Sequence, residues 1–202
     1  MKKIGLLLVI CLLLVGCKSF IRQNIDGVYL KGKHNVEISV KDYGKIMVEL
    51  DADTAPITVT NFIELVNAHF YDGLTFHRIM DGFMIQGGDP NADGTGGSGK
   101  TIKGEFLANG VENNILHKRG TISMARLGDD YNSATSQFFI MHQDDNGLDN
   151  YYASFGHVTS GMDVVDKICK KAKPTDDNGT IKKQEQPVIE YIKVINIIEE
   201  NN

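Results

Sequence analysis

The chain has 202 residues, is 42% hydrophobic and carries a formal net charge of −5, which fits one soluble domain with its own core rather than two small ones. Its densest basic group is Lys170, Lys171 and Lys173. That is a solvated helix end rather than a phosphate-tracking stripe, so nucleic acid is excluded as the main partner. Of the cysteines Cys11, Cys17 and Cys169, only the last lies beyond the N-terminal segment, so the folded part has no internal disulfide and its stability must come from packing.

Lys2 and Lys3 followed by an apolar run from Ile4 to Val15 form the pattern of a cleaved signal peptide, too short to span a bilayer comfortably. The segment ends in Leu14-Val15-Gly16-Cys17, which resembles a bacterial lipobox, the signal whose cysteine becomes the lipidated first residue. Residues 1–16 are therefore expected to be removed, Cys17 to carry lipid, and 17–35 to tether the domain beginning at residue 36. This implies a bacterial cell-envelope protein, anchored to a membrane and facing outside the cytoplasm.

Val36 to Val40 and Ile46 to Leu50 read as strands joined by a turn at Asp42-Tyr43-Gly44. Thr54 is placed to cap a helix with Pro56 in its first turn, and Val59, Phe62, Ile63, Val66 and Phe70 form a helical stripe for the core. The stretch from Phe76 to Asp89 changes character. If it is extended around Asp81-Gly82, Arg78, Met84 and Gln86 share a face as a charged donor beside an apolar slot. A hairpin with a solvated Arg78 and a buried Phe83 and Met84 fits the same residues.

Two motifs in the glycine-rich loop that follows are decoys. Gly94-Thr95-Gly96-Gly97-Ser98-Gly99-Lys100-Thr101 matches the Walker A pattern but lacks the strand before it and the helix after it that aim N–H groups at phosphate. Asp89-Pro90-Asn91-Ala92-Asp93-Gly94 begins like a calcium loop, yet its twelfth position is Lys100 where a glutamate is required. The histidines, His34, His69, His77, His117, His142 and His157, show no i, i+4 pairing and no cysteine partner motif. No metal or cofactor is expected, and Ser136 lacks a nucleophile elbow.

Ile122 to Met124, Phe138 to Met141, Tyr152 to Val158 and Val188 to Ile198 read as further strands. Gly161 to Ala172 reads as a second helix, with Met162, Val165, Ile168 and Cys169 on one side and Lys173-Pro174 as the stop.

Phe76-His77-Arg78-Ile79, Gly82-Phe83-Met84-Ile85-Gln86-Gly87-Gly88-Asp89, Gly94-Thr95-Gly96-Gly97, Ser123-Met124-Ala125, Ser136-Gln137-Phe138-Phe139-Ile140, Leu148-Asp149 and Phe155-Gly156 occur in this order. Together they resemble the cyclophilin family of peptidyl-prolyl isomerases, in its bacterial branch, from about Val36 to Ile198. The resemblance implies a mainly β fold, a closed eight-stranded antiparallel β-barrel capped by two α-helices, acting as a monomer on proline-containing polypeptides. It implies catalytic roles for Arg78, Phe83 and Gln86, and substrate contacts from His77, Met84, Ala125, Arg126, Gln137, Phe139, Leu148 and Tyr152. Many members carry Trp where Gly147 stands, Asn where Arg126 stands and His where Tyr152 stands. Gly147 removes one wall of the cleft, so weak binding of cyclosporin-like macrocycles is expected. Two other classes were open to the residues alone, a non-catalytic peptide-binding module and an NTPase.

Overall fold

The computed structural model describes residues 29–195. The expected signal segment, Cys17 and the tether as far as Val28 lie outside the described residues, as do residues 196–198 of the last expected strand. Eight strands and two α-helices are present: β1 (Lys33–Val40), β2 (Gly44–Asp51), α1 (Pro56–Asn67), β3 (Phe76–Met80), β4 (Met84–Gly87), β5 (Thr121–Met124), β6 (Phe138–Met141), β7 (Ser154–Ser160), α2 (Met162–Lys171) and β8 (Ile189–Ile195). All ladders are antiparallel, in the order β3-β4-β6-β5-β7-β2-β1-β8.

The expected closed barrel is corrected to an open half-barrel, because the end strands β3 and β8 form no ladder. The segment before β8 instead runs along the free edge of β3, through the bridges Thr75↔Val188 and Arg78↔Thr180 and the bonds Phe76 N–H to Pro187 O (3.0 Å) and Ile181 N–H to His77 O (2.9 Å). Pro187 has no N–H to donate, so a continuous ladder cannot form there. The strand edge is nevertheless covered.

Alternation decides which side chains enter the core. On β4 and β6, Ile85, Phe138 and Ile140 face inward and are fully buried. Phe138 meets Phe62 of α1, Tyr71 and Phe76 edge-on, at ring distances of 5.5 to 6.0 Å. The partners of Phe138 and Ile140 along the chain, Phe139 and Met141, face the other way. With Met84 they form a second apolar cluster, packed by Met80, Phe83, Ala125, Leu148 and Tyr152.

Three local expectations change. Thr54 does not cap α1: its N–H and hydroxyl go to the Asp51 carboxylate at 3.0 and 2.9 Å. The cap comes from Glu105, whose carboxylate accepts from Ile57 N–H, Thr58 N–H and the Thr58 hydroxyl at 3.0, 2.8 and 2.7 Å. A carboxylate at a helix N-terminus completes its free donors and opposes the helix dipole, and this one is 2% exposed. Glu105→Gln should therefore lower stability by about 1–3 kcal/mol, read from urea unfolding. An unchanged midpoint would remove the cap from the account.

Phe70 lies beyond α1 rather than on its stripe. Its N–H returns to Leu65 O and that of His69 to Val66 O, both at 3.0 Å, with His69 at φ 57°. This is a left-handed termination that needs neither glycine nor proline. Finally, β7 starts at Ser154 rather than Tyr152, since Tyr152 turns outward into the second cluster. The second helix begins at Met162 rather than Gly161; Gly161 precedes it with φ 94°, where a Cβ would strike Lys45 O, so only glycine fits there.

Candidate active site

The strand register carries one row of outward side chains across four strands: Arg78 pairs with Gln86, Gln86 with Phe139, and Phe139 with Ser123. The expected shared face of Arg78, Met84 and Gln86 is thus present. Around it opens a cleft of about 280 Å³ lined by Arg78, Phe83, Met84, Gln86, Ala125, Arg126, Phe139, Leu148 and Tyr152. Its floor is apolar, with Met84 1% and Phe139 5% exposed. One wall is the Arg78 guanidinium.

Arg78 is held from several sides. Nε donates to Asn178 O at 2.7 Å, and Nη1 donates to Gln86 Oε1 at 3.1 Å. Nη1 and Nη2 approach the sulfurs of Met84 and Met80 at 3.8 and 3.2 Å, which are weak acceptors. The guanidinium carbon lies 6.0 Å from the Phe83 ring centre. Burial pulls its pKa below the ordinary arginine value, opposed by Tyr152 and Asp176, yet a guanidinium stays charged in a protein. Gln86 in turn donates to Gln137 Oε1 at 2.9 Å, and Gln137 donates to Gly94 O and Gly96 O at 3.0 and 2.8 Å. Gln137 therefore lies behind the cleft, in the adjoining hollow of about 370 Å³, and fixes the amide of Gln86 to the glycine-rich loop.

His77 is not in the cleft. It is 4% exposed, neither ring nitrogen has a hydrogen-bond partner, and it faces an adjoining hollow with Asp93, Thr95, Asn178 and Thr180 that shares Arg78 and Gln86 with the cleft. Burial lowers its pKa, with Asp89 opposing, so the ring is neutral near pH 7. The bulge between Phe76 and Arg78 breaks the simple alternation that would otherwise place it.

Arg126 lines the cleft, but its donors are engaged elsewhere. Nε and Nη2 bond Tyr151 O at 3.1 and 2.9 Å, and Nη1 bonds Leu127 O and Gly128 O at 2.8 and 3.0 Å. Its plane covers the rings of Tyr152, Tyr131 and Phe106 at 4.5, 4.8 and 5.4 Å. Arg126 is a clamp on the cleft wall rather than a free cation. Gly147 sits in the exposed 3-10 turn Asn146–Leu148, and the cleft is lined by Leu148 beside it.

Two supports escape sequence reasoning. The Asn178 carbonyl reaches Arg78 across a hundred residues, and nothing local to either residue signals the pairing. His117 is 1% exposed and stacks on Phe139 at 6.0 Å and 17°. It is bonded to Asp149 Oδ1 at 3.0 Å and Ser123 Oγ at 3.1 Å. Burial lowers its pKa while Asp149 opposes. The available signal was Ser123, a polar residue between Ile122 and Met124 whose outward position on a strand needed a partner.

The Walker-like stretch has no helix after it; Ile102 enters an isolated bridge instead. Backbone N–H groups of the glycine-rich loop are taken by the carboxylates of Asp89 and Asp93. Of the Walker-like stretch, the Gly94 and Thr95 N–H groups are thereby engaged within the loop itself.

Comparison with known proteins agrees with this geometry. The family model described as cyclophilin type peptidyl-prolyl cis-trans isomerase/CLD matches residues 35–196. The chain is 47% identical over 126 residues to peptidyl-prolyl cis-trans isomerase B of Bacillus subtilis, covering 62% of this chain and 84% of that one. It is 46% identical over 127 residues to a peptidyl-prolyl cis-trans isomerase of Helicobacter pylori, covering 62% and 74%. A crystal structure of a Cryptosporidium parvum cyclophilin type isomerase, in the presence of the dipeptide Ala-Pro, superposes with a TM-score of 0.70 at 28% identity, over 80% of this chain and 99% of that one. Barrel-like sheet, apolar cleft and matched sequence lead to one assignment: the chain belongs to the cyclophilin-type peptidyl-prolyl cis-trans isomerases.

Proposed function

We propose that this isomerase turns X–Pro bonds of exported proteins at the cell envelope, with Arg78 stabilising the twisted amide. The uncatalysed barrier of roughly 18–20 kcal/mol is the loss of amide resonance. As the bond twists, the prolyl nitrogen becomes pyramidal and gains a lone pair, so a donor aimed at it favours the transition state over the planar ground state. No bond breaks, so no nucleophile or proton shuttle takes part. The observation that carries this reading is the Arg78 guanidinium at the wall of a cleft of about 280 Å³ with an apolar floor.

In the proposed complex the ring rests on Met84, Phe139 and Leu148, beside Phe83 and Tyr152. Gln86, oriented by Gln137, binds the peptide backbone, and the Arg78 fork reaches both the prolyl nitrogen and a carbonyl oxygen. Turnover of a short Ala-Pro peptide tests the reading, and a chain that binds the peptide without accelerating isomerisation would make it a binding module.

The envelope location rests on the sequence of residues 1–17. Cys17 is proposed as the lipidated residue, and more than one acyl chain anchors stably where one binds marginally. Intact-mass analysis of the protein from its native host should show a mature N-terminus at Cys17 with added acyl mass, and Cys17→Ser should abolish both. A mature N-terminus elsewhere without acyl mass overturns the proposal.

A further inference from the structure

On the side of the β3–β4 turn away from the proline cleft, three residues distant in sequence come together. An oxygen of Asp81, a ring nitrogen of His142 and the sulfur of Cys169 all lie within 4.8 Å of one another. Asp81 is at the turn, His142 follows β6, and Cys169 is on α2. His142 and Cys169 are 9% and 4% exposed, while the Asp81 side chain is 72% exposed and opens the cluster to solvent.

The hydrogen bonds of His142 decide what it offers. Nε2 meets Asp166 Oδ1 at 3.0 Å, and Asp166 is itself gripped by Arg119 Nη2 at 2.8 and 2.9 Å. A carboxylate held by an arginine accepts, so Nε2 carries the proton. Nδ1 accepts from Gly82 N–H at 2.9 Å, which makes it the lone-pair nitrogen. That lone pair lies 3.3 Å from Asp81 Oδ1, an approach of two acceptors with no proton assigned between them. Either a proton on the ring or a shared metal ion would relieve such a contact.

We propose that Asp81, His142 and Cys169 bind one divalent cation of zinc's character, which pins the β3–β4 turn to β6 and α2. Bonds of roughly 2.0–2.3 Å put tetrahedral ligands about 3.3–3.8 Å apart, so the Asp81–His142 spacing already fits and the thiol closes by at most about 1.5 Å. A sulfur, an imidazole nitrogen and a carboxylate oxygen form a borderline set that suits Zn²⁺ over Mg²⁺ or Ca²⁺, with water in the fourth position. Asp166 is the partner that fixes the histidine tautomer, as outer carboxylates do for ligating imidazoles.

On binding, the Sγ–H bond of Cys169 breaks, its proton leaves to water, and a sulfur–metal bond forms. Burial, with Asp81 and Asp166, pushes the free thiol up to about 12, so the proton is held until a cation displaces it. Gly82 N–H gives up Nδ1 and turns to water at its exposed position. The site is linked to the cleft through Phe83, whose carbonyl accepts from His142 N–H at 2.8 Å.

The test is titration of the full chain with Co²⁺ as a spectroscopic probe and Zn²⁺ as competitor. One equivalent of Co²⁺ should produce thiolate-to-cobalt charge-transfer absorption that Zn²⁺ displaces. Cys169→Ser should abolish the band although Cys11 and Cys17 remain, and Asp166→Asn should weaken binding about 10- to 100-fold. Asp81→Asn changes an exposed side chain and leaves folding alone; it should weaken Zn²⁺ binding and remove the rise in melting temperature that Zn²⁺ produces in the parent. Absence of one-equivalent binding, a band that survives Cys169→Ser, or Asp81→Asn binding Zn²⁺ as the parent does would each overturn the site.

Discussion

Replacing Phe139 by alanine should cost about 3–5 kcal/mol of stability, the range for deleting a buried aromatic ring, and should raise KM for a proline peptide. Phe139 is 5% exposed, stacked by His117 and met edge-on by Tyr152 at 5.9 Å. The cavity left by the ring cannot collapse easily, because His117 is tied to Asp149 and Ser123 and the neighbouring Phe138 belongs to the core on the other face. Phe139→Leu keeps much of the volume and should retain folding, so capture of proline can be measured apart from stability. A Leu variant with parental KM would take Phe139 out of substrate binding.

Arg78→Ala should lower kcat/KM about 10- to 100-fold, corresponding to roughly 1.5–3 kcal/mol for one charge-assisted hydrogen bond to the transition state, with little loss of stability. Its partner Asn178 is exposed, so the carbonyl that loses Nε is rehydrated. Arg78→Lys keeps the charge but not the planar fork, and should recover only part of the loss. The two histidines nearest the cleft, His77 and His117, have pKa values lowered by burial. No general base takes part in the proposed mechanism, so kcat/KM should show no inflection attributable to either between about pH 6 and 8. The measurement is isomerisation by each variant across that range, with circular dichroism as the check on folding. Parental turnover in Arg78→Ala would remove it from the mechanism.

The two variants separate the parts of the site. Phe139 belongs to an apolar floor that is also structural, so its loss is felt in both binding and stability. Arg78 stands on the wall of that floor, and its proposed contribution is electrostatic. Gln86 and Asn178 hold the guanidinium in place, and in the proposed mechanism this would lower the cost of aiming the fork when the amide twists.

Much of this was legible in the sequence because it depends on short-range periodicity. Alternation through Met84-Ile85-Gln86 and Phe138-Phe139-Ile140 states which residues face the core and which face outward, and a strand has no other way to present them. The helical stripe Val59-Phe62-Ile63-Val66 did the same for α1. What the sequence left open was every relation set by strand order and long loops. Glu105 caps α1 from 47 residues away, and Thr54, the local candidate, is claimed by Asp51. Asn178 orients Arg78, and His77, next to it in the chain, is turned into another hollow by a bulge. The excursion through the 3-10 turn Lys183–Glu185 to Pro187 interrupts pairing along β3 and leaves the sheet an open half-barrel where a closed one was expected. An aspartate, a histidine and a cysteine without any spacing motif still meet as Asp81, His142 and Cys169, because a turn, a strand end and a helix converge there. Local pattern determines which face a side chain occupies. Only the folded sheet, through the register of its ladders, determines which other side chains share that face.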